Sequence, residues 1–533
     1  MREISRRLLL TGAAAAPFAG WTRRADAALP ADTAVFGRQI DDIISLDPGE
    51  CYEPSGIEIA TNVYDRILRY EPENFSKLVG GVAESWTVSG DGRQFTFTLR
   101  RNLKFHSGAP VTAEDAAFSL QRVVLLDRVP AYLFTQLGWT RANVKDLVQA
   151  TGAGTLSLTI TADFAPSLVL NLLTSIAGSV LEKQLVLAHE TGGDLGNAWL
   201  KTHSAASGAY KLVDWKPGEQ VSLEAFAGFR LGAPRLKRVL VRHVPDPARQ
   251  LALLEKGEID FARNLQPEQI EAVAGTPDIR VEDFKGANIW YLGMNLGFAP
   301  FADPKVRTAL KWLVDYQGMA EGLLAGRFTV QQSFLPVGLF GAIAAAPFRL
   351  DVARAKSLLA EAGYPDGFEV KLTVPDSAPW TDIARSVQQT LGQAGITAGI
   401  EQADLKAVLR TYRARQHELL LMSWGPDYFD PNSNADAFAH NDDNADTAKN
   451  KSLAWRNKWL IPELTAQTLA AARERDSRQR ATLYADLQRQ VTDEGPYILL
   501  FQNSNQVARR ARVSGFTPGI TEDLDFFRTI RKS

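Results

Sequence analysis

The stretch WGPDYFDP (residues 424–431) follows directly on an apolar run, residues 419–422. The run is typical of a buried strand, and the Gly-Pro pair after it forces the backbone to turn. In an open α/β sheet, ligands are bound in the loops beyond the carboxyl ends of the strands. Asp427 between aromatic residues suits an ammonium group, because the carboxylate supplies charge while Trp424 and Tyr428 supply ring faces. The alternative is an ordinary turn, in which aspartate caps a helix and proline stops the strand.

Strands alternate with helices on both sides of this stretch. Residues 289–295 and 368–374 have the composition of buried strands and are followed by segments with helical spacing of apolar residues. Earlier in the chain, residues 208–223 are interpreted as a hairpin and residues 239–241 as a further buried strand. Alternation of this kind predicts an α/β fold with parallel strand pairing. A terminal strand at residues 497–501 could return to the first lobe, which would give two crossovers and a hinge.

Length and cysteine content bound the architecture. The chain has 533 residues and one cysteine, Cys51. Without an internal disulfide, a chain of this length must be held together by apolar cores, and its size predicts two or more lobes.

The amino terminus has the features of an export signal rather than of the fold. Basic residues up to Arg7 precede an apolar, small-residue run (residues 8–20), and Ala25-Asp26-Ala27 offers a cleavage site. Residues 5–10 (SRRLLL) also fit a twin-arginine signal; the alternative is a Sec signal that contains two arginines. Either signal predicts a periplasmic protein.

The charge of the mature chain is mildly acidic. Cleavage after Ala27 removes five basic and two acidic residues from totals of 59 and 61, which leaves a net charge of −5. This balance argues against nucleic acid or an anionic membrane surface as a partner.

Motifs for catalysis are absent from the sequence. It contains no G-x-x-x-x-G-K-[ST] phosphate loop, no G-x-S-x-G nucleophile elbow and no H-E-x-x-H metal motif. The six histidines never fall three or four residues apart, which excludes a helical metal pair. We therefore expect no enzyme activity, no metal site and no cofactor.

Short motifs along nearly the whole mature chain resemble one family, the family 5 extracellular solute-binding proteins of ABC importers, which include peptide, oligopeptide and nickel receptors. The most specific is KFHSGAPVTAED (residues 104–115). The others are LDP (46–48), VYD (63–65), VAESW (82–86), FTFTLR (95–100), GAYKL (208–212), PFAD (300–303) and AKSLLAEAGYP (355–365).

The resemblance implies a two-lobed periplasmic-binding-protein fold (type II, cluster C-like) with an extra subdomain in the first lobe. The expected divisions are 28–288 for the first lobe, about 68–190 for the inserted subdomain, 289–496 for the second lobe and 497–533 for the return to the first lobe. It further implies a monomer that closes over a solute and delivers it to membrane permease subunits, with the ATPase on a separate chain.

The family's W-x-x-D motif implies that Asp427 pairs with the α-ammonium of a peptide, with Trp424 and Tyr428 as walls. Tyr52 and Glu53 are implied as contacts from the first lobe, although Tyr52 is equally suited to lobe packing. Dipeptide receptors carry an arginine for the ligand's carboxylate in a loop that here reads PDSAPW (residues 375–380) and has no basic residue.

The expected function is therefore capture of peptides or of a peptide-like, amine-bearing solute. Two alternatives are a receptor for a metal chelate or opine-like compound and, more distantly, an exported hydrolase.

Overall fold

The computed structural model describes residues 29–71, 74–324, 327–448, 450–516, 518, 519, 521 and 524–533. The predicted export signal, residues 1–27, lies outside the described residues. Within these ranges, no helix combines the length and the apolar character needed to cross a membrane.

The strands of the described residues are, in chain order, β1 (Thr33–Arg38), β2 (Leu68–Glu71), β3 (Asn74–Gly80), β4 (Ala83–Val88), β5 (Gln94–Leu99), β6 (Val148–Gly152), β7 (Thr155–Thr159), β8 (Tyr210–Lys216), β9 (Gln220–Ala225), β10 (Arg238–His243), β11 (Phe261–Ala262), β12 (Ile279–Met294), β13 (Phe328–Val330), β14 (Glu369–Pro375), β15 (Thr397–Ala403), β16 (Leu419–Trp424), β17 (Tyr497–Arg510), β18 (Val513–Ser514) and β19 (Arg531–Lys532).

The α-helices are α1 (Pro54–Val63), α2 (Ala113–Leu126), α3 (Tyr132–Thr135), α4 (Val144–Leu147), α5 (Pro166–Leu172), α6 (Lys183–Ala188), α7 (Asn197–Leu200), α8 (Pro247–Lys256), α9 (Pro267–Val273), α10 (Ala299–Ala302), α11 (Pro304–Lys311), α12 (Tyr316–Gly318), α13 (Val352–Glu361), α14 (Trp380–Gly392), α15 (Leu405–Arg413), α16 (Pro431–Phe438), α17 (Leu453–Arg456), α18 (Pro462–Arg473) and α19 (Ser477–Glu494).

One mixed sheet of 11 strands runs through the molecule in the order β15-β14-β16-β12-β17-β11-β1-β10-β9-β8, with β13 pairing on β17. We call the part built on β1 and β8–β11 the first lobe and the part built on β13–β16 the second lobe. Each lobe has the predicted parallel pairing: β1 lies parallel to β10 and β11, and β14 lies parallel to β15 and β16. Separate apolar clusters cover the two faces of the sheet in each lobe.

Two long antiparallel strands, β12 and β17, connect the lobes. They pair from Ile279 opposite Arg510 to Gly293 opposite Tyr497, with a register shift between Lys285 and Ile289. The sequence predicted strands beginning at Ile289 and ending at residue 501, so it missed the half of each strand that lies in the first lobe. Those halves are rich in polar residues and only partly buried, so they lack the apolar run by which the other halves are recognised.

A subdomain built from β2–β7 and α2–α5 has its own core. It contains a hairpin of β2 and β3 and a four-stranded antiparallel sheet in the order β4-β5-β7-β6, packed around aromatic residues such as Phe95, Phe97 and Trp139. A capping box begins α2: the Thr112 hydroxyl accepts from the Asp115 amide at 3.3 Å, and the Asp115 carboxylate accepts from the Thr112 amide at 2.9 Å.

A buried ion pair joins the subdomain to the first lobe. The Arg122 guanidinium on α2 donates to both oxygens of Asp47 at 2.7 and 2.6 Å, and Asn197 donates to the same carboxylate at 2.7 Å. Both charged side chains are almost fully buried. The contact fixes the subdomain against the loop that leads to Tyr52.

Candidate functional site

The stretch 424–431 forms the link between β16 and α16 at the edge of the second lobe that faces the first. Asp430 is the N-cap of α16 and accepts from the Asn432 amide at 2.9 Å, and Pro431 is the first residue of the helix. This arrangement is the cap and stop expected of an ordinary turn, so the alternative interpretation correctly describes the second half of the stretch.

The Asp430 carboxylate is held by a network that reaches the subdomain. Arg480 on α19 donates to its two oxygens at 3.0 and 2.7 Å, and Asn171 on α5 donates at 2.9 Å. The Asp430 and Arg480 side chains are 0% and 4% exposed. Because a bidentate guanidinium–carboxylate pair has a defined orientation, it fixes the turn that carries Asp427.

Asp427 meets the first lobe and the subdomain through phenol groups. The Tyr52 hydroxyl donates to Asp427 Oδ1 at 2.5 Å, and the Tyr132 hydroxyl lies 3.3 Å from that of Tyr52. The Asp427 amide donates to Ser433 Oγ at 2.7 Å. Among the residues that the structure describes, no lysine, arginine or histidine forms an ion pair with Asp427.

Burial raises the pKa of Asp427, and the charge of Asp436 adds to the rise, whereas the hydrogen bonds from Tyr52 and Tyr132 partly lower it. Burial and the charge of Asp427 also raise the pKa of Tyr52 and of Tyr132. Both phenols therefore remain protonated donors at neutral pH. The site presents a carboxylate without a cationic partner.

A cavity of about 190 Å³ opens beside this carboxylate. Its wall combines Tyr52 and Ile57 from the first lobe, Leu133 from the subdomain, and Asn288 and Asp427 from the second lobe. The lobes and the subdomain thus meet at one enclosed space, which is where a solute would be shielded from water.

The structure brings together only part of the predicted site. Asp427 and Tyr52 are in contact. Glu53 occupies the N-cap position of α1 without a side-chain capping bond; its carboxylate accepts from the Tyr52 amide at 3.3 Å, and it does not line the cavity. Tyr428 is 5% exposed, packs in the subdomain core and accepts from the Asn432 side chain at 2.9 Å. Trp424 packs against the apolar cluster of the second lobe.

The expectation of aromatic walls at Trp424 and Tyr428 therefore does not match the cavity. Side chains on either side of a turn point in different directions, and these two rings are used to pack the second lobe and to join it to the subdomain. The residues that sequence reasoning missed are Tyr132 and Asn288. Tyr132 is the first residue of α3, two positions after Pro130, and Asn288 lies within β12 just before its apolar half. Neither position has a sequence pattern that points to the other.

The loop after β14 contributes no cation to the cavity. Trp380, the first residue of α14, stacks on Trp290 with ring centroids 3.7 Å apart. Arg385 lies more than one turn into α14, and its exposed guanidinium is 3.8 Å from Asp382. In the described ranges, no group of three or more His, Cys, Asp or Glu side chains is arranged to hold a metal ion.

Ligand affinity should depend on pH through Asp427. An ammonium group binds the ionised carboxylate, and the pKa of that carboxyl is raised by burial in the free protein. Affinity is therefore expected to fall with decreasing pH, by up to about tenfold per pH unit, from a higher pH than for an exposed aspartate. Calorimetric titration between pH 8 and pH 4 measures this dependence, and Asp427→Asn should remove it.

The stability of the free protein should respond to this proton with the opposite sign. Because the folded state has the higher pKa at Asp427, it binds the proton more tightly than the unfolded chain does. This group therefore favours folding more as the pH falls through the folded-state pKa.

A ligand affinity that stays constant across the acid range would contradict the assignment of Asp427 to the ligand.

Comparison with known proteins places this geometry in a family. The sequence profile of "Bacterial extracellular solute-binding proteins, family 5 Middle" matches residues 77–446. The probable D,D-dipeptide-binding periplasmic protein DdpA of Escherichia coli K12 is 28% identical over 500 residues, which cover 92% of each chain.

Solved structures share the fold. The periplasmic binding protein DppA of Helicobacter pylori, in complex with the peptide STSA, superimposes with a TM-score of 0.77 at 22% identity and covers 94% of this chain and 98% of that one. MoaA of A. tumefaciens R10, in complex with mannopinic acid, also has a TM-score of 0.77, at 22% identity, with 95% and 100% covered. The fold is therefore that of the two-lobed periplasmic binding proteins, and the chain belongs to the family 5 bacterial extracellular solute-binding proteins.

Proposed function

We propose that this protein is the periplasmic binding subunit of an ABC importer and captures peptides or a peptide-like, amine-bearing solute. The observation that carries the proposal is the Asp427 carboxylate, which faces the cavity at the meeting point of both lobes and accepts from Tyr52 without a cationic partner among the described residues. A half-buried carboxylate of this kind gains most from a ligand that brings a positive charge.

Closure of the lobes over the solute would produce the form of the protein that delivers it to the permease. The lobes are joined by β12 and β17, and their relative movement would bring Tyr52 and Asp427 together over the ligand. Permease subunits then recognise the closed form, and a separate ATPase supplies the energy. The names of DdpA and of the peptide complex of DppA support a peptide as the solute.

An opine-like compound is the second candidate. The cation-free loop at residues 375–380 favours it, because a free dipeptide would leave its carboxylate without the arginine that dipeptide receptors place there. The mannopinic acid complex of MoaA shows that this fold can accept such a solute.

A titration with matched peptides tests the proposal. Protein freed of bound solute by unfolding and refolding is titrated with di-, tri- and tetrapeptides and with their N-acetylated forms. We expect saturable binding of free-amine peptides, a loss of about tenfold or more on acetylation, and recovery of the peptide intact. Equal binding of acetylated peptides would refute the ammonium site, and peptide hydrolysis that survives repurification would establish an enzyme instead.

A further inference from the structure

A second cavity, which we call the arginine cavity, lies at the other end of α1. It is narrow, with a volume of about 30 Å³, and is lined by Arg66, Arg69 and Arg528 together with Asp65 and aromatic residues. Arg230 reaches its edge through Asp65. Segments far apart in the chain thus bring four guanidinium groups to one place.

Two of these arginines have partners. Arg230 forms an ion pair with Asp65, in which both side chains are buried. Arg66 donates to the Thr174 carbonyl at 2.6 Å and also to the Thr61 hydroxyl. These bonds hold Arg66 and Arg230 in place, and the Asp65 carboxylate of the cavity is already paired with Arg230.

The other two arginines, Arg69 and Arg528, form no ion pair with a carboxylate of the described residues. The Arg69 guanidinium donates to the Tyr70 carbonyl at 3.3 Å and lies 4.9 Å from the centroid of the Phe526 ring. Arg528 makes no hydrogen bond and no ion pair with any residue in the described parts of the chain. Both side chains are half-buried.

The guanidinium groups of the arginine cavity repel one another electrostatically. Burial and the charges of Arg230, Arg528 and Arg66 together lower the pKa of Arg69 to about 10, with burial the largest cause. The charge of Asp65 acts in the opposite direction and raises the pKa of Arg69. Burial and the charge of Arg230 also lower the pKa of Arg528. Like charges gathered in a partly desolvated space are costly unless a counter-charge joins them. A ligand that brings an anionic group would remove this cost.

The arginine cavity is adjacent to the cavity at Asp427. Ile57 of α1 lines the Asp427 cavity and Thr61, one turn later on the same face of the helix, lines the arginine cavity. Four residues of helix span about 6 Å. Thr174 lines the arginine cavity, and the next two residues, Ser175 and Ile176, line the Asp427 cavity. Near the carboxyl terminus, Thr521 lines the Asp427 cavity, and Leu524, Phe526 and Arg528 line the arginine cavity.

We propose that the arginine cavity receives a carboxylate of the imported solute whose ammonium group lies at Asp427. The inference rests on the proposed function and deepens it, because it supplies the cation that the loop at residues 375–380 lacks. An extended peptide advances about 3.3 Å per residue, so a solute of about two to four residues would reach from one cavity to the other. The narrow space suits a planar carboxylate held by paired guanidinium donors.

Peptides with a free or an amidated carboxyl terminus test the proposal. In the wild-type protein, amidation of the peptide is expected to weaken binding by about tenfold or more. In Arg528→Gln and in Arg69→Gln, the amidated and the free peptide should bind with nearly the same affinity. Arg528→Lys should restore part of the difference because it keeps the charge. Arg478→Gln, an exposed arginine on α19, is the charge-matched control and should behave as the wild type.

The thermal stability of the free protein separates binding from a structural role. Since Arg528 has no described partner, Arg528→Gln should not lower the unfolding temperature, whereas loss of a structural arginine would. Asp427→Asn should weaken the binding of peptides but keep the difference between free and amidated peptides. An error in the assignment of Asp427 and an error in the assignment of the arginine cavity therefore give different results. An amidation effect that persists in both arginine variants would overturn the proposal.

Inorganic phosphate provides an arm that does not depend on peptides. At constant ionic strength, phosphate in place of chloride should raise the unfolding temperature of the wild type and of Asp427→Asn, but not of the Arg69→Gln, Arg528→Gln double variant. The same rise in the double variant, or no rise in any protein, would contradict an anion site in this cavity. If phosphate binds through these arginines while amidation has no effect on peptides, the cavity holds a free anion and the assignment to the solute is wrong.

Discussion

Replacing Asp427 with asparagine is expected to weaken an amine-bearing solute by about 2–5 kcal/mol, the penalty for leaving one member of a desolvated charge pair without its partner. Asparagine keeps the size of the side chain and can still accept from Tyr52, so the change removes charge while the cavity keeps its shape. Calorimetric titration of the variant with the peptides that bind the wild type measures the loss.

N-acetylated peptides provide the control for this variant. They carry no ammonium group, so their weak binding should be nearly the same in Asp427→Asn and in the wild type. An equal loss for acetylated and free peptides would show that the variant has changed the shape of the cavity. Unchanged affinity for the free peptides would remove Asp427 from the site.

Replacing Asp430 with alanine is expected to lower the free energy of unfolding by about 3–5 kcal/mol. The change leaves the Arg480 guanidinium buried without its carboxylate and removes the N-cap of α16. Denaturant-induced unfolding of the ligand-free protein measures the difference. Solute binding should weaken as well, because the turn that carries Asp427 loses its anchor.

A matched variant separates the two parts of this effect. Asp404 is the exposed N-cap of α15 and accepts from the Ala407 amide at 2.9 Å, so Asp404→Ala removes a cap without breaking a buried ion pair. Its cost should be about 1 kcal/mol. The double variant Asp430→Ala, Arg480→Met should recover part of the stability that Asp430→Ala loses. A cost for Asp430→Ala no larger than that for Asp404→Ala would show that the buried pair contributes little.

Much of the fold could be predicted from the sequence because its signals are local. The hairpin of β8 and β9, the capping box at Thr112 and the parallel strands of each lobe follow from alternation, apolar runs and cap residues. The halves of β12 and β17 that lie in the first lobe could not be predicted from the sequence, because they are largely polar and partly exposed. Their strand character comes from pairing with each other, which no local pattern records.

The candidate site shows the same limit. Asp427 is marked by a sequence motif, but the contact between Tyr52, its hydrogen-bond donor, and Tyr132 depends on how the subdomain lies against the first lobe. Tyr428 was assigned to the cavity because it is next to Asp427 in sequence, whereas the turn directs its ring into the subdomain core. The arginine cavity gathers residues separated by more than 450 positions, such as Arg69 and Arg528, and no spacing rule connects them.

The path of β17 has a consequence for the order in which the chain can acquire its structure. β11 lies between β1 and β17, so the sheet of the first lobe keeps an uncovered edge until residues 504–510 have been synthesised. Contacts of such large sequence separation raise contact order, and high contact order slows folding. Neither lobe should therefore be obtainable as a stable fragment from a simple truncation, and a nascent chain that has not reached β17 presents strand edges that favour aggregation or chaperone binding.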